Sequence, residues 1–509
     1  MNWKKGLATA LAVVTVAGTM SVYNDIMGGP VIAEAKTTAS DTKVKYKTPK
    51  YVFLFIGDGM SYPQFQAASD YLGAVKNEGE ELVKGGEKLS FMNFPVAGSA
   101  ATYDSTSFCP DSASTATSIA SGNKTHSGVI NMDETKTKSF ETIAEKLKEQ
   151  KGYKVGIVTS VNLNHATPAA FYAHQASRKN YYEIGEEMVE SGFDYFAGGA
   201  LLKPEGSNGD KESIYDVAEK AGYDVIQTQA EAEKLTAKDG KAIVIAEKLA
   251  DEDSISYEND RETNEWALKD YVEKGIEVLD NDKGFFMMVE GGKIDWACHA
   301  NDAGSTIADT VALSDAVDIA LKFYAEHPKE TLILVTGDHE TGGLTIGYAG
   351  TDYDTYLTNL TNQKISYAKF DEEYVAGYKA NKTSFANVLK DIKTNFGLMA
   401  ASDPDAAKNP KLVLTEYEMS KLKAAYEKSM SGDTSDLSQE EYVLYGSYEP
   451  LTVTITHILN NKSGINFASY AHTGLPVAVF AKGQGQELFE GYYDNTNIFD
   501  NMAEILKVK

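Results

Sequence analysis

Three apolar runs in this chain end on glycine and an acid, and that repeated junction narrows the folds open to it. Tyr51 to Ile56 leads into Gly57-Asp58-Gly59, and Phe285 to Val289 leads into Glu290-Gly291-Gly292 and then Asp295 and His299. Leu332 to Val335 leads into Thr336-Gly337-Asp338-His339-Glu340-Thr341-Gly342-Gly343. A fourth run, Val477 to Phe480, is preceded by His472-Thr473-Gly474. Short unbroken apolar runs bounded by turn residues read as strands buried on both faces, which belong in a mostly parallel sheet covered by helices. Further strand-like runs at Val155–Thr159, Asp194–Phe196, Asp224–Ile226 and Ala242–Ile245 alternate with charged helical stretches. The expected fold is therefore α/β, three layers as α/β/α, with a large central, mostly parallel sheet.

In open α/β sheets ligands bind outside the carboxyl ends of the strands, where most of these acids and imidazoles fall. One Gly-Asp-Gly could be a turn, but together the clusters read as a multinuclear metal site. Oxygen and imidazole donors without thiolates suit zinc and magnesium. Asp295 and His299, four residues apart, share a face if that stretch is helical. Asp58 and His472 must then converge although most of the chain separates them, which requires one large domain rather than a string of small ones. The run Asp111-Ser112-Ala113-Ser114-Thr115-Ala116-Thr117, closing at Gly122, reads as a short helix of small residues. Ser112 at its N-terminus is either a nucleophile or an ordinary cap, in a place where free amides favour an anion.

Composition bears on compartment and partners. Lys4-Lys5, the uncharged run from Gly6 to Asn24 and Ala33-Glu34-Ala35 have the form of a signal peptide over 1–35, with a retained membrane anchor as the other reading. Residues 36–50 form a polar lead-in to a domain spanning 51–509. The expected mature protein is secreted, periplasmic or extracellular, with no stable membrane association. Its net charge of −26, with no basic stripe, argues against nucleic-acid binding. The two cysteines, Cys109 and Cys298, are read as buried free thiols that could pair only if they meet. His126, His174, His327 and His457 read as satisfied core or surface residues, and Trp266 as core within a helix-like run.

The stretch from about 348 to 449 breaks the alternation. Phe385, Val388, Leu389, Ile392 and Phe396 lie at helical spacing before Gly397, and Thr415 with Glu418 forms a capping box. This predicts a mainly helical insertion whose tyrosines line a substrate entrance or a subunit contact, or merely cover a sheet edge.

At these motifs the chain resembles the bacterial alkaline phosphatases. The matching residues are Ile56 to Met60, Asp111-Ser112-Ala113, Ala166 to Ala170 with Ser177-Arg178-Lys179, Glu290 to His299, Gly337 to Gly343 and His472 to Gly474. The resemblance implies that Ser112 attacks phosphorus and becomes a phosphoserine, with Arg178 gripping the phosphoryl oxygens and Asp111 positioning that arginine. It implies a first zinc site of Asp295, His299 and His472, on the leaving-group side, and a second of Asp58, Asp338 and His339. Asp58, Thr167 and Glu290 would form a third site, for one magnesium. Thus two Zn2+ and one Mg2+ per subunit are expected, in a homodimer. Two positions depart from the best-studied members: His165 stands where they have aspartate, beside the third site, and Trp296 where they have lysine; both are read as substrate-binding positions, with simple packing as the other reading of Trp296. The imidazole softens the third site.

The chemistry suits these residue types. A serine hydroxyl is a poor nucleophile until a metal or base lowers its pKa, and paired ions stabilise both oxygens of an in-line displacement. The expected activity is hydrolysis of small phosphate monoesters to alcohol and inorganic phosphate. A related metal-dependent phosphodiesterase, and a non-catalytic exported phosphate or metal binder, remain as alternatives.

Overall fold

A computed structural model describes residues 46–78, 82–432 and 437–509, so the expected leader and most of the lead-in lie outside the described residues. The strands in chain order are β1 (Tyr51–Gly57), β2 (Val96–Ala101), β3 (Lys154–Thr159), β4 (Tyr195–Gly198), β5 (Tyr223–Ile226), β6 (Lys241–Ile245) and β7 (Phe285–Gly291). They continue as β8 (Thr331–Gly337), β9 (Glu340–Thr341), β10 (Thr345–Ile346), β11 (Ile465–Asn466), β12 (His472–Thr473), β13 (Val477–Gly483) and β14 (Tyr492–Asp494). Ten of them form one sheet in the order β14-β2-β13-β8-β1-β7-β3-β4-β6-β5. Its pairings are parallel except around β13, which runs antiparallel to both β2 and β8.

Every residue of β1, β7 and β8 is buried, which explains their unbroken apolar sequence. Alternate side chains serve two cores. Tyr51, Phe53 and Phe55 pack with the helices Tyr62–Lys76, Leu268–Leu279 and Ala303–Glu326 on one face. Val52, Leu54 and Ile56 pack with the helices Ser112–Ser121, Ile143–Lys151 and Thr496–Leu506 on the other. This is the expected sheet covered on both faces. Each fully buried aromatic side chain contributes about 2–3 kcal/mol by transfer from water.

Register and direction together gather the site. Gly57 is level with Gly291 on one neighbour and with Gly337 on the other, so Asp58, Glu290 and Asp338 emerge at one edge. Because β13 is antiparallel, its N-terminal end lies at that same carboxyl edge, and the residues before it arrive there. β12 then pairs with β9, setting His472 opposite Thr341.

Between β10 and β11 the chain is mostly helical. The helix Phe385–Phe396 buries Val388, Ile392 and Phe396 and stops at Gly397 in the left-handed conformation. The helix Glu416–Ser431 opens with reciprocal capping between Thr415 and Glu418. Among the described residues no helix is long and apolar enough to cross a membrane.

Two expectations are corrected. Cys109 is exposed, whereas Cys298 is a buried free thiol. The helix behind Cys109 begins only at Ser112, and the loop before it lies at the surface, where Phe108 is 83% exposed. Trp266 is not helical: it precedes the helix Leu268–Leu279 and packs edge-on against Tyr271.

Candidate active site

Ser112 is the first residue of its helix, with Asp111 as the cap whose carboxylate accepts the amide of Ser114. Ser112 is 1% exposed, and its hydroxyl faces two side chains that follow β1 and β8. Ser112 Oγ lies 3.1 Å from His339 Nε2 and 3.4 Å from Asp58 Oδ1. His339 Nε2 in turn lies 3.3 Å from Asp58 Oδ1 and 3.4 Å from Asp338 Oδ2. Asp58, Asp338 and His339 thus aim one donor atom each at a common point beside the serine.

A second group is built on the helix Lys293–His299, where the i, i+4 spacing brings Asp295 and His299 to one face. His299 Nδ1 donates to the carbonyl of Tyr470 at 2.6 Å, and His472 Nδ1 to that of Pro110 at 2.5 Å. Carbonyls accept only from N–H, so each ring turns its Nε2 inward. The two Nε2 atoms face each other at 3.0 Å, with Asp295 oxygens 3.3 and 3.6 Å away. Only a proton or a cation can occupy the space between two such nitrogens.

The third group is Asp58, His165 and Glu290. His165 Nδ1 and Glu290 Oε1 are 3.8 Å apart, both buried and both without a hydrogen-bond partner. Thr167, at the start of a short helical turn, donates its hydroxyl to Asp58 Oδ2 at 3.2 Å. Sequence reasoning placed Thr167 among the donors and left His165 as a departure; the structure brings both to this point. Two orphaned buried atoms converging on one spot, one of them a carboxylate oxygen, fit a bound cation.

Arg178 spans the nucleophile and the third group. Its Nη1 donates to Asp111 Oδ2 at 2.9 Å and its Nη2 to His165 Nε2 at 3.0 Å. Burial alone would raise the Asp111 carboxyl, but Arg178 and the amides of Gly128 and Ser114 hold it below the usual range. Trp296 packs edge-on against His165, with ring centroids 6.0 Å apart.

The electrostatics demand positive charge. Burial pushes Asp58 well up, and the charges of Asp338, Asp295 and Glu290 push it further. Burial and Asp295 push Asp338 up to about 8. Burial opposes charge on His299, yet Asp295 lifts it to about 9. His339, buried and beside His472, is driven well below the ordinary imidazole range, which leaves Nε2 a free donor. Four buried carboxylates at one strand edge cannot all ionise without cations to offset them.

Several supporting residues escaped sequence reasoning. Glu340 is fully buried and accepts from Gln64 at 2.7 Å, from the amides of Gly343 and Leu344 and from the Thr473 hydroxyl. It thereby ties β9 to β12 and fixes His472. Thr159 donates to Glu290, Thr341 to Asp295 and Thr115 to Asp338, each orienting a candidate ligand. Thr159 ends β3, so the rule that flagged the acids at strand ends would have found it. The other contacts cross sequence distances that no local pattern reveals. Three of the remaining imidazoles are occupied elsewhere: His174 by Glu145 and Glu187, His327 by Glu330 and His457 by Asn301.

A buried serine ringed by three carboxylate–imidazole groups, at the carboxyl edge of such a sheet, defines a serine-centred hydrolase of the metal-binding kind. The chain belongs to the alkaline phosphatase family, whose model matches residues 49–508. It is 30% identical to alkaline phosphatase 4 of Bacillus subtilis strain 168, covering 90% of this chain and 88% of that one. Against alkaline phosphatase 3 of the same organism the identity is 31%, with 90% and 89% covered. The crystal structure of a cold-active alkaline phosphatase from Shewanella sp. superposes with a TM-score of 0.72 at 27% identity, covering 90% of this chain and 99% of that one. The chain is a phosphatase.

Proposed function

We propose that this phosphatase hydrolyses small phosphate monoesters through a phosphoserine on Ser112, with two zinc ions and one magnesium ion per subunit. The observation that carries the reading is the place of Ser112 Oγ, in contact with His339 Nε2 and Asp58 Oδ1, with Arg178 bound to the adjacent Asp111.

The donor sets support this placing of the ions. Asp295, His299 and His472 would hold one zinc and Asp58, Asp338 and His339 the other; Asp58, Thr167 and Glu290, with His165 beside them, would hold the magnesium. When bound, such ions lower the pKa of coordinated oxygens and neutralise charge on the entering and leaving oxygens of an in-line displacement. The chain's own residues do the positioning. Asp111 holds the Arg178 guanidinium, whose fork pairs with two phosphoryl oxygens as a lysine could not. The helix N-terminus behind Ser112 favours the phosphoryl charge. Ser112 Oγ gives up its proton and forms the new bond to phosphorus as the ester oxygen departs with its electron pair and takes up a proton to become the alcohol. Water then attacks the phosphoserine, releasing inorganic phosphate and restoring the hydroxyl.

Brief acid quenching with labelled substrate is expected to trap label on the peptide carrying Ser112, and Ser112→Ala to lose it together with most of the rate. Label elsewhere, or full activity in that variant, would falsify the assignment. Hydrolysis of p-nitrophenyl phosphate but not its bis-ester separates this reading from a phosphodiesterase, and any turnover separates it from a phosphate binder. The sequence of 1–35 supports export and cleavage, and family membership supports a homodimer. A mature N-terminus near residue 36 and sedimentation as a dimer are the expected results.

A further inference from the structure

A cleft of about 740 Å³ opens beside His299 and Trp296, on the side where the first ligand group would receive the leaving oxygen. It is walled by aromatic rings and carboxylates, with no lysine or arginine among its lining residues. Trp296 lines it together with Tyr367 and Tyr448, which pack edge-on with ring centroids 5.9 Å apart. Asp251, Glu252, Asp371 and Glu372 complete the wall.

One of these carboxylates is already neutralised. Asp251 accepts from the buried ammonium of Lys293 at 2.6 Å, a cation that also lies 3.8 Å from the Tyr257 ring and 4.7 Å from the Trp296 ring. Of the other cations, Lys379 acts on Asp371 but is paired with Glu449, Arg178 acts on His299 but is paired with Asp111, and Lys248 and Lys369 line the adjoining depression. Lys248 is paired with Glu262 and Glu265, and Lys369 with Glu373. Asp371, held by the Thr452 hydroxyl, is pushed up to about 7 by burial, so it is ionised at alkaline pH. The cleft therefore presents negative charge and the faces and edges of aromatic rings where the departing alcohol must sit. A second anionic group is repelled there, and a substituted ammonium is held by both features at once.

From this we infer that the cleft selects phosphate monoesters whose leaving group carries a positive charge, an alkylammonium alcohol above all, over those whose leaving group is neutral or anionic. The inference rests on the phosphatase reading and specifies its substrate class. Trp296, Tyr367 and Tyr448 supply cation–π contact, while Glu252 and Glu372 supply exposed charge and touch none of the reacting atoms.

The test compares 2-(trimethylammonio)ethyl phosphate with 3,3-dimethylbutyl phosphate, which has the same shape but a neutral carbon in place of nitrogen. Because the two alcohols differ in intrinsic leaving ability, the readout is the change in their kcat/KM ratio between wild type and the Glu252→Gln/Glu372→Gln variant. The ratio is expected to fall by about five-fold in the variant, with p-nitrophenyl phosphate turnover unchanged. Added salt should lower the wild-type ratio more than that of the variant. Turnover of all three substrates with equal ratios in the two proteins overturns the cleft's role and leaves the phosphatase reading standing. No turnover of p-nitrophenyl phosphate by the metal-loaded wild type overturns both.

Discussion

Arg178 and Asp338 sit about the same serine but do separable things. Arg178 reaches Asp111 and His165, and so touches the third group, but it supplies no ligand atom and contacts neither zinc group by hydrogen bond. Arg178→Ala should therefore weaken phosphate binding and lower kcat/KM by roughly 10²-fold, the loss of a bidentate charged contact, with metal content unchanged. Asp338 shares its point of convergence with Asp58 and His339. Asp338→Ala should cost at least ten times more than Arg178→Ala and remove close to one zinc per chain by metal analysis. Equal damage with full metal content in both variants would sink this division. At the third group, His165→Asp exchanges an imidazole nitrogen for a carboxylate, so activity should become more dependent on added magnesium. Trp296→Lys should tighten inhibition by inorganic phosphate, since it brings a cation to the place where the Trp296 ring packs against His165, Arg178's neighbour. Unchanged magnesium dependence and unchanged phosphate inhibition in the two variants would make both residues packing groups. The acidic and imidazole ligands of the two zinc groups, and Glu290, were legible because their clusters lie beside apolar runs, whereas Thr167 was legible only through the family resemblance. Glu340, Thr159 and Thr341 were not read as supporting groups, because what they orient is distant in the sequence.

The helix Ser112–Ser121 shows what local sequence can and cannot specify. Its cap, its run of small residues and its stop at Gly122 were all readable, and the structure agrees from Asp111 to Gly122. What could not be read is why the side chains must be small: the helix is buried throughout, and the ring of Phe499 closes over its end. Gly122 has φ +72°, and a Cβ there would lie 2.6 Å from Phe499 Cδ1. Gly122→Ala should then destabilise the protein by about 1–3 kcal/mol in denaturant titration, from left-handed strain and overpacking together. Ser112 lies at the opposite end of the helix, so kcat at low temperature should be nearly wild type. A stable variant with depressed kcat would place the effect in the site instead. The insertion's helices were equally legible from spacing and capping. The exposed position of Cys109 was not, since adjacency to Ser112 says nothing of where a loop travels before its helix begins.

Across the whole molecule, the site joins chain segments that no short-range force would bring together. β1, β7, β8 and the residues before β13 meet at one edge, and the reversal of β13 that admits His472 is invisible in its own sequence. The four carboxylates so gathered make the fold depend on the ions it would hold. An ion kept at a thousand times its Kd stabilises the native state by about 4 kcal/mol, so EDTA should lower the melting temperature markedly. The sign of the pH dependence follows from two groups. Asp338 in the metal-free protein titrates near 8 and His299 near 9, both above their unfolded values. A group with a raised folded pKa contributes stability that is present below its unfolded pKa and is lost as pH rises through the folded one. Between pH 6.5 and 9 both therefore take stability from the metal-free protein. With metal bound neither proton is held, so that loss is absent. His174, lifted to about 10 by Glu145 and Glu187 against its burial, declines over the same range in both forms and cancels in the difference. The gap in melting temperature between metal-loaded and EDTA-treated protein should accordingly widen from pH 6.5 to pH 9. A gap that is constant or narrows across that interval would show that the carboxylate–imidazole groups are not what the ions stabilise.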